Sequence, residues 1–147
     1  MEKGARIGIM GGTFDPVHNG HIAIARSAAE QLELSRVLFI PAGNPHFKQD
    51  QEVTLASKRA DMVALAIADD SLFALDLCEV ERGGITYTAD TLEELTQSYE
   101  GARLFFIMGT DSAITLPGWK RAEDVARLCT IVVAKRPGQS TQRVREV

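Results

Sequence analysis

Residues 11–21, GGTFDPVHNGH, gather the chemistry of this chain into one short segment. Gly11 and Gly12 follow the apolar run RIGIM, and without side chains they let the backbone approach a bulky ligand closely. His18 and His21 stand three residues apart at the start of a helix-patterned stretch, so both rings can project from one face. The helix start adds free N–H groups and the positive end of its dipole at the same place. Two imidazole donors and a helix start facing one cleft make a phosphate site without any run of Lys or Arg. The segment is neither the GxGxxG dinucleotide fingerprint nor a GxxxxGK[ST] P-loop. A zinc ion would need third and fourth ligands. No suitable cysteine and no HExxH pattern supplies them, so no protein-held metal is expected.

The elements that must position this segment read as alternating strands and helices. Arg6–Met10 is a buried strand stopped by Gly11-Gly12, and His21–Leu32 is an Ala-rich helix. Val37–Ile40 is a second buried strand closed by Pro41, and the polar stretch Pro41–Val53 is an exposed loop. Thr54 caps the helix TLASKRADMVALAIA, and Leu72–Leu77 is a third strand. After the break at Gly83-Gly84, TADTLEELTQSY forms a helix capped by Thr88 or Asp90. Arg103–Met108 and Thr130–Ala134 are strands, with a turn and a short helix over Trp119–Leu128 between them. This order predicts an α/β fold, a doubly wound parallel sheet with helices on both faces. Its ligand site lies beyond the carboxyl ends of the strands, where the strand order reverses.

The bulk properties are those of an ordinary soluble protein. At 147 residues the chain is one domain's worth, and a hydrophobic share of 45% is enough to bury a core. A net charge of −4 excludes the basic footprint of a nucleic-acid binder, so an anionic ligand must be held by local donors. The start MEKGARIGIMGG lacks a signal peptide's apolar stretch, and no run approaches membrane-spanning length. Cys78 and Cys129 sit apart in apolar surroundings and read as buried reduced thiols, which points to the cytoplasm. A homo-oligomer is compatible with all of this.

These residues resemble a known family. GGTFDPVHNGH is similar to the HxGH motif of the nucleotidyltransferase superfamily, in the form found in nicotinate-nucleotide adenylyltransferases. PAGNPHFK (41–48) resembles that family's PxxxPxxK loop, ERGGITYTADTL (81–92) its RxGxxYTxDTL segment, and FIMGTDSAITLPGW (106–119) its GxD strand end and following tryptophan. KRPG (135–138) matches a further stretch, and the motifs fall in family order from Arg6 to Gly138.

The resemblance implies a Rossmann-like nucleotidyltransferase fold, three-layer α/β/α, over residues 1–138, with a poorly ordered polar tail at 139–147. It implies transfer of the adenylyl group of ATP to nicotinate mononucleotide, with magnesium carried on the ATP phosphates rather than in a protein cage. His18 and His21 would contact those phosphates and stabilise transition-state charge, and Lys48 would reach them from its loop. Losing such a donor costs on the order of 3 kcal/mol in the transition state. Gly11, Gly12, Thr13, Phe14 and Asp15 would line the substrate; Asp15 could equally accept a bond from its own loop. Tyr87 and Trp119 would shape the pyridine pocket, with Trp119 stacking on the ring. The Thr88 backbone would face the nicotinate carboxylate even if its side chain caps the helix. Gly109 and Asp111 would address the nucleotide sugar or base.

The family pattern continues past this length, through a further strand and an S-S/T-x-x-R helix start that grips ATP. Ser140–Arg145 does not match that motif, so the sequence reads as truncated at its carboxyl end. Two alternatives accompany the main reading. One is adenylyl transfer to nicotinamide mononucleotide or pantetheine phosphate; the other is a nucleotide-binding module without activity.

Overall fold

Side chains alternate across the central strands, and both faces of each are apolar, which is the signature of a sheet covered on two sides. In β1 (Arg6–Gly12), Ile7 and Ile9 face one core and Met10 the other. The computed structural model describes residues 4–12, 14, 17–43, 56–82, 87–134 and, for backbone alone, 144–146. The chain proceeds through α1 (Asn19–Leu32), β2 (Arg36–Pro41), α2 (Ala56–Ile67), β3 (Phe73–Leu75), α3 (Cys78–Arg82) and α4 (Thr88–Ser98). There follow β4 (Arg103–Gly109), α5 (Thr110–Thr115), a 3-10 turn (Leu116–Gly118), α6 (Ala122–Leu128), β5 (Thr130–Ala134) and β6 (Val144–Glu146).

The strands lie in the order β3-β2-β1-β4-β5-β6, with the first five parallel and β6 antiparallel to β5. From β1 the chain walks outward through β2 and β3, then returns to the other side of β1 to lay down β4. The reversal therefore lies between β1 and β4, whose carboxyl ends are Gly11-Gly12 and Gly109. One core joins the Phe39, Phe105 and Val132 face to α1 and α2 through Ala25, Ala28, Val63 and Ile67. The other joins Ile9, Leu38 and Phe106 to α3, α4 and α6 through Cys78, Leu92, Leu95 and Val125. The expected three layers are present. Gly8 lets α1's exit pack on the sheet, since a Cβ there would lie 2.7 Å from Leu34 Cδ1.

Several boundaries differ from the sequence expectation. β1 is not stopped by its glycines: the ladder continues with Gly11 opposite Ile40 and Gly12 opposite Pro41. α1 begins at Asn19 because His18 caps it. β3 is short because Asp76 turns the chain, its carboxylate accepting the Cys78 N–H at 3.0 Å and opening α3, which has no apolar period of its own. Neither Thr88 nor Asp90 caps α4; Tyr87 holds the cap position in extended backbone and makes no side-chain cap bond. α5 was not expected at all. β6 lies inside the stretch read as a polar tail, where pairing with the backbone of edge strand β5 decides the conformation rather than any apolar pattern. The expected Thr54 cap lies outside the described residues. Cys78 is buried, Cys129 only partly so, and both are free thiols.

Candidate active site

The β1-to-α1 turn is built around two histidines that cap the helix with their rings. His18 is the N-cap in extended backbone, and its Nδ1 accepts the Gly20 N–H at 3.1 Å. His21 reaches back, its Nδ1 accepting the His18 N–H at 3.0 Å. Each ring thus replaces the oxygen of an ordinary capping box in satisfying an orphan donor of the first turn. A ring nitrogen that accepts a hydrogen bond carries no proton, so the neutral form of each ring holds its hydrogen on Nε2. The rings stack with centroids 3.9 Å apart and planes at 29°. His18 is exposed and His21 half-buried. Burial, and then the neighbouring His18, push the His21 pKa down from 6.5 to about 4. At neutral pH His21 therefore offers a neutral N–H donor beside the helix start.

Two small features hold the pair together. A Cβ on Gly20 would sit 2.9 Å from His18 Cε1 and 3.0 Å from its Nδ1, so only glycine leaves the His18 ring room to cap. Phe14 lies beneath, 3% exposed, its ring edge-on to His21 at 5.0 Å and tilted against Phe39 at 5.9 Å. Its φ of 52° is left-handed, an unfavourable conformation for a bulky residue that persists where packing over-determines it. Phe14 was expected to line the substrate. Its side chain packs in the core and supports the imidazole.

A second group of expected residues gathers where α4 starts and α6 is about to start. Tyr87, at the cap position of α4, makes no side-chain cap bond, and N–H groups at the start of a helix can receive an anion. Trp119 packs edge-to-face on Phe106 at 6.3 Å, and its Nε1 donates to Thr115 Oγ1 at 3.0 Å. Lys120 Nζ lies 4.7 Å from the centre of the Tyr87 ring, so the Trp119 loop and the α4 start touch. Arg121 adds ion pairs to Asp90 and Glu93 of α4 and to Asp124 of α6.

Gly11 and Gly12 are exposed at the end of β1. Gly109 caps α5 with no side-chain bond, and exposed Asp111 follows in that helix's first turn. A Cβ on Gly109 would meet nothing within 4 Å, so that glycine faces open space. Thr13, Asp15 and Lys48 lie outside the described residues. Among the described residues, no group of three His, Cys, Asp or Glu side chains converges to hold a metal ion.

Sequence reasoning passed over Gly20, Arg59 and Arg121. Gly20 was visible as the glycine of the HxGH pattern. Arg59 and Arg121 carry no local signal, because each finds its partners on another element. Arg59 is 1% exposed on α2 and donates to the carbonyls of Ala42 at 2.7 Å and Gly43 at 3.3 Å. It thereby pins the segment that leaves β2 toward Lys48.

Known proteins resemble this chain in sequence and fold. A family profile described as cytidylyltransferase-like matches residues 9–147. A protein of Thermoanaerobacter sp. named "probable nicotinate-nucleotide adenylyltransferase" is 40% identical over 147 residues, which span 99% of this chain and 70% of that protein. A protein of the same name from Neisseria meningitidis serogroup C is 44% identical over 135 residues, 92% of this chain and 68% of its own. The solved structure of Plasmodium falciparum nicotinic acid mononucleotide adenylyltransferase complexed with NaAD matches with a TM-score of 0.78, over 94% of this chain and 68% of that one. At 18% identity that likeness speaks for the fold alone. The chain belongs to the cytidylyltransferase-like family and, within it, to the nicotinate-nucleotide adenylyltransferases.

Proposed function

We propose that this chain joins the adenylyl group of ATP to nicotinate mononucleotide, releasing pyrophosphate and forming nicotinate adenine dinucleotide. A phosphate oxygen of the mononucleotide attacks the α-phosphorus of ATP in line. The bond from that phosphorus to the bridging oxygen breaks, and pyrophosphate leaves with the electron pair. Such a transfer needs positioning and charge neutralisation and no covalent protein group.

The observation that carries the reading is the stacked His18–His21 pair at the start of α1. With each Nδ1 occupied by a backbone N–H, each Nε2–H remains to donate to the phosphates. Such donors are in place before the transition state and need no reorganisation during it. Magnesium enters on the ATP phosphates as part of the substrate. Lys48 is assigned to the same phosphates by motif, and Thr13 and Asp15 to the lining of the substrate site. The α4 start near Thr88 supports a carboxylate in the acceptor, and Trp119 with Tyr87 supports a flat aromatic ring next to it. Gly109 and Asp111, at the end of β4, are assigned to the nucleotide. ATP as substrate and free thiols fit a reducing cytoplasm.

The test incubates the chain with ATP, magnesium and either nicotinate or nicotinamide mononucleotide, following pyrophosphate and dinucleotide. Faster turnover of the amide would sink the substrate assignment. Absence of dinucleotide from both would sink the activity.

A further inference from the structure

We infer that Arg121 is a positioning residue that clasps the two walls of the acceptor pocket together and thereby sets affinity for the pyridine mononucleotide. The inference rests on the function proposed above and concerns a residue that touches no reacting atom. One wall is the start of α4, with Tyr87 and Thr88. The other is the loop carrying Trp119 and Lys120. Arg121 stands two residues after Trp119, and all three guanidinium nitrogens of its side chain are engaged. Nη1 donates to Asp90 and to Glu93, both at 3.0 Å, Nη2 to Glu93 at 2.6 Å and Nε to Asp124 at 2.7 Å.

The contacts to Glu93 are a two-pronged fork, a geometry that guanidinium offers and ammonium does not. The backbone of Arg121 is left-handed, with φ 58° and ψ 40°, which a non-glycine residue adopts at a cost. A residue held in that conformation and tied at both ends fixes the direction in which the chain leaves Trp119. A simple surface ion pair would need neither the strained backbone nor partners on both α4 and α6. Lys120 over the Tyr87 ring, 4.7 Å away, closes the same seam from the other side.

Trp119 is the only tryptophan among the 147 residues, so its fluorescence reads this wall directly. Arg121→Met keeps the aliphatic stem and removes the clasp; Arg121→Lys keeps charge without the fork. In the absence of ligand, the Met variant should shift Trp119 emission to the red and lower its anisotropy relative to the parent chain. Its dissociation constant for nicotinate mononucleotide, from Trp119 quenching, should rise about tenfold, with the Lys variant between the two. Its dissociation constant for ATP, from calorimetry, should stay within about twofold. Unchanged emission and unchanged mononucleotide affinity in the Met variant would overturn the clasp, as would equal weakening toward both substrates. A parent chain that binds ATP but not the mononucleotide would overturn the substrate reading instead, while the ligand-free emission still judges the clasp.

Discussion

His21 accepts the backbone N–H of His18 on its Nδ1 at 3.0 Å while the two rings lie stacked 3.9 Å apart. One hydrogen bond therefore caps a helix, selects a tautomer and aims a donor. In the free protein, long-range nitrogen–proton NMR should find the hydrogen of each neutral ring on Nε2. A protonated Nδ1 on either neutral ring would contradict the capping geometry.

The same burial makes stability depend on pH. His21 titrates at about 4 in the folded chain against an ordinary 6.5. Between those values the unfolded chain takes up a proton at position 21 that the folded chain refuses, so stability falls as pH falls through that window. Above about pH 6.5 this contribution is complete. Thermal melts of the parent chain and His21→Gln from pH 7 to 5 should show a smaller loss in the variant. Equal slopes would remove His21 as the cause.

His18→Asn should separate the two duties of that residue. Asparagine is a strong N-cap, so the melting temperature should remain near the parent's. Pyrophosphate release should nevertheless fall about a hundredfold or more, as for loss of a transition-state donor. His18→Ala should lose both, with about 1 kcal/mol of stability gone alongside the rate. Full activity in the Asn variant would refute the phosphate-donor role.

Gly20→Ala would ordinarily stabilise a helix, by roughly 0.5–1 kcal/mol. Here the new methyl would meet the His18 ring at 2.9 Å, and the ring must leave its capping position to make room. The expected outcome is a folded protein with at least about a tenfold loss of turnover and an altered His18 NMR signal. A variant of parental activity would mean that the ring tolerates the displacement.

Arg59→Met should destabilise the chain by about 1–3 kcal/mol, because the partly buried Ala42 and Gly43 carbonyls lose their donor. Gly43 adds a second constraint there, since a Cβ on it would lie 2.6 Å from the Glu79 carbonyl oxygen of α3. Denaturant unfolding measures the change, and a loss under about 0.5 kcal/mol would show that the carbonyls find other partners.

Much of the frame was legible along the chain because its causes are local. Apolar runs such as VLFI and RLFFIM read as buried strands, and the helical spacing after His21 marked α1. The HxGH spacing placed two imidazoles on one helix start. What misled the reading were local rules that neighbouring strands override. A glycine pair ordinarily ends a strand, yet Gly11 and Gly12 remain paired because β2 continues opposite them. A threonine ordinarily caps, yet Thr88 lies inside α4, and Tyr87 at the cap position makes no side-chain cap bond.

By itself, then, the sequence determined the alternation of elements, the histidine pair and the family, since periodicity and motif spacing are properties of neighbours in the chain. The tertiary structure alone decided that Phe14 belongs to the core, that His21 is held neutral, and that Arg59 and Arg121 bind elements distant in sequence. Burial and charge pairing depend on which surfaces meet, and only the closed sheet with its two helical layers brings those surfaces together.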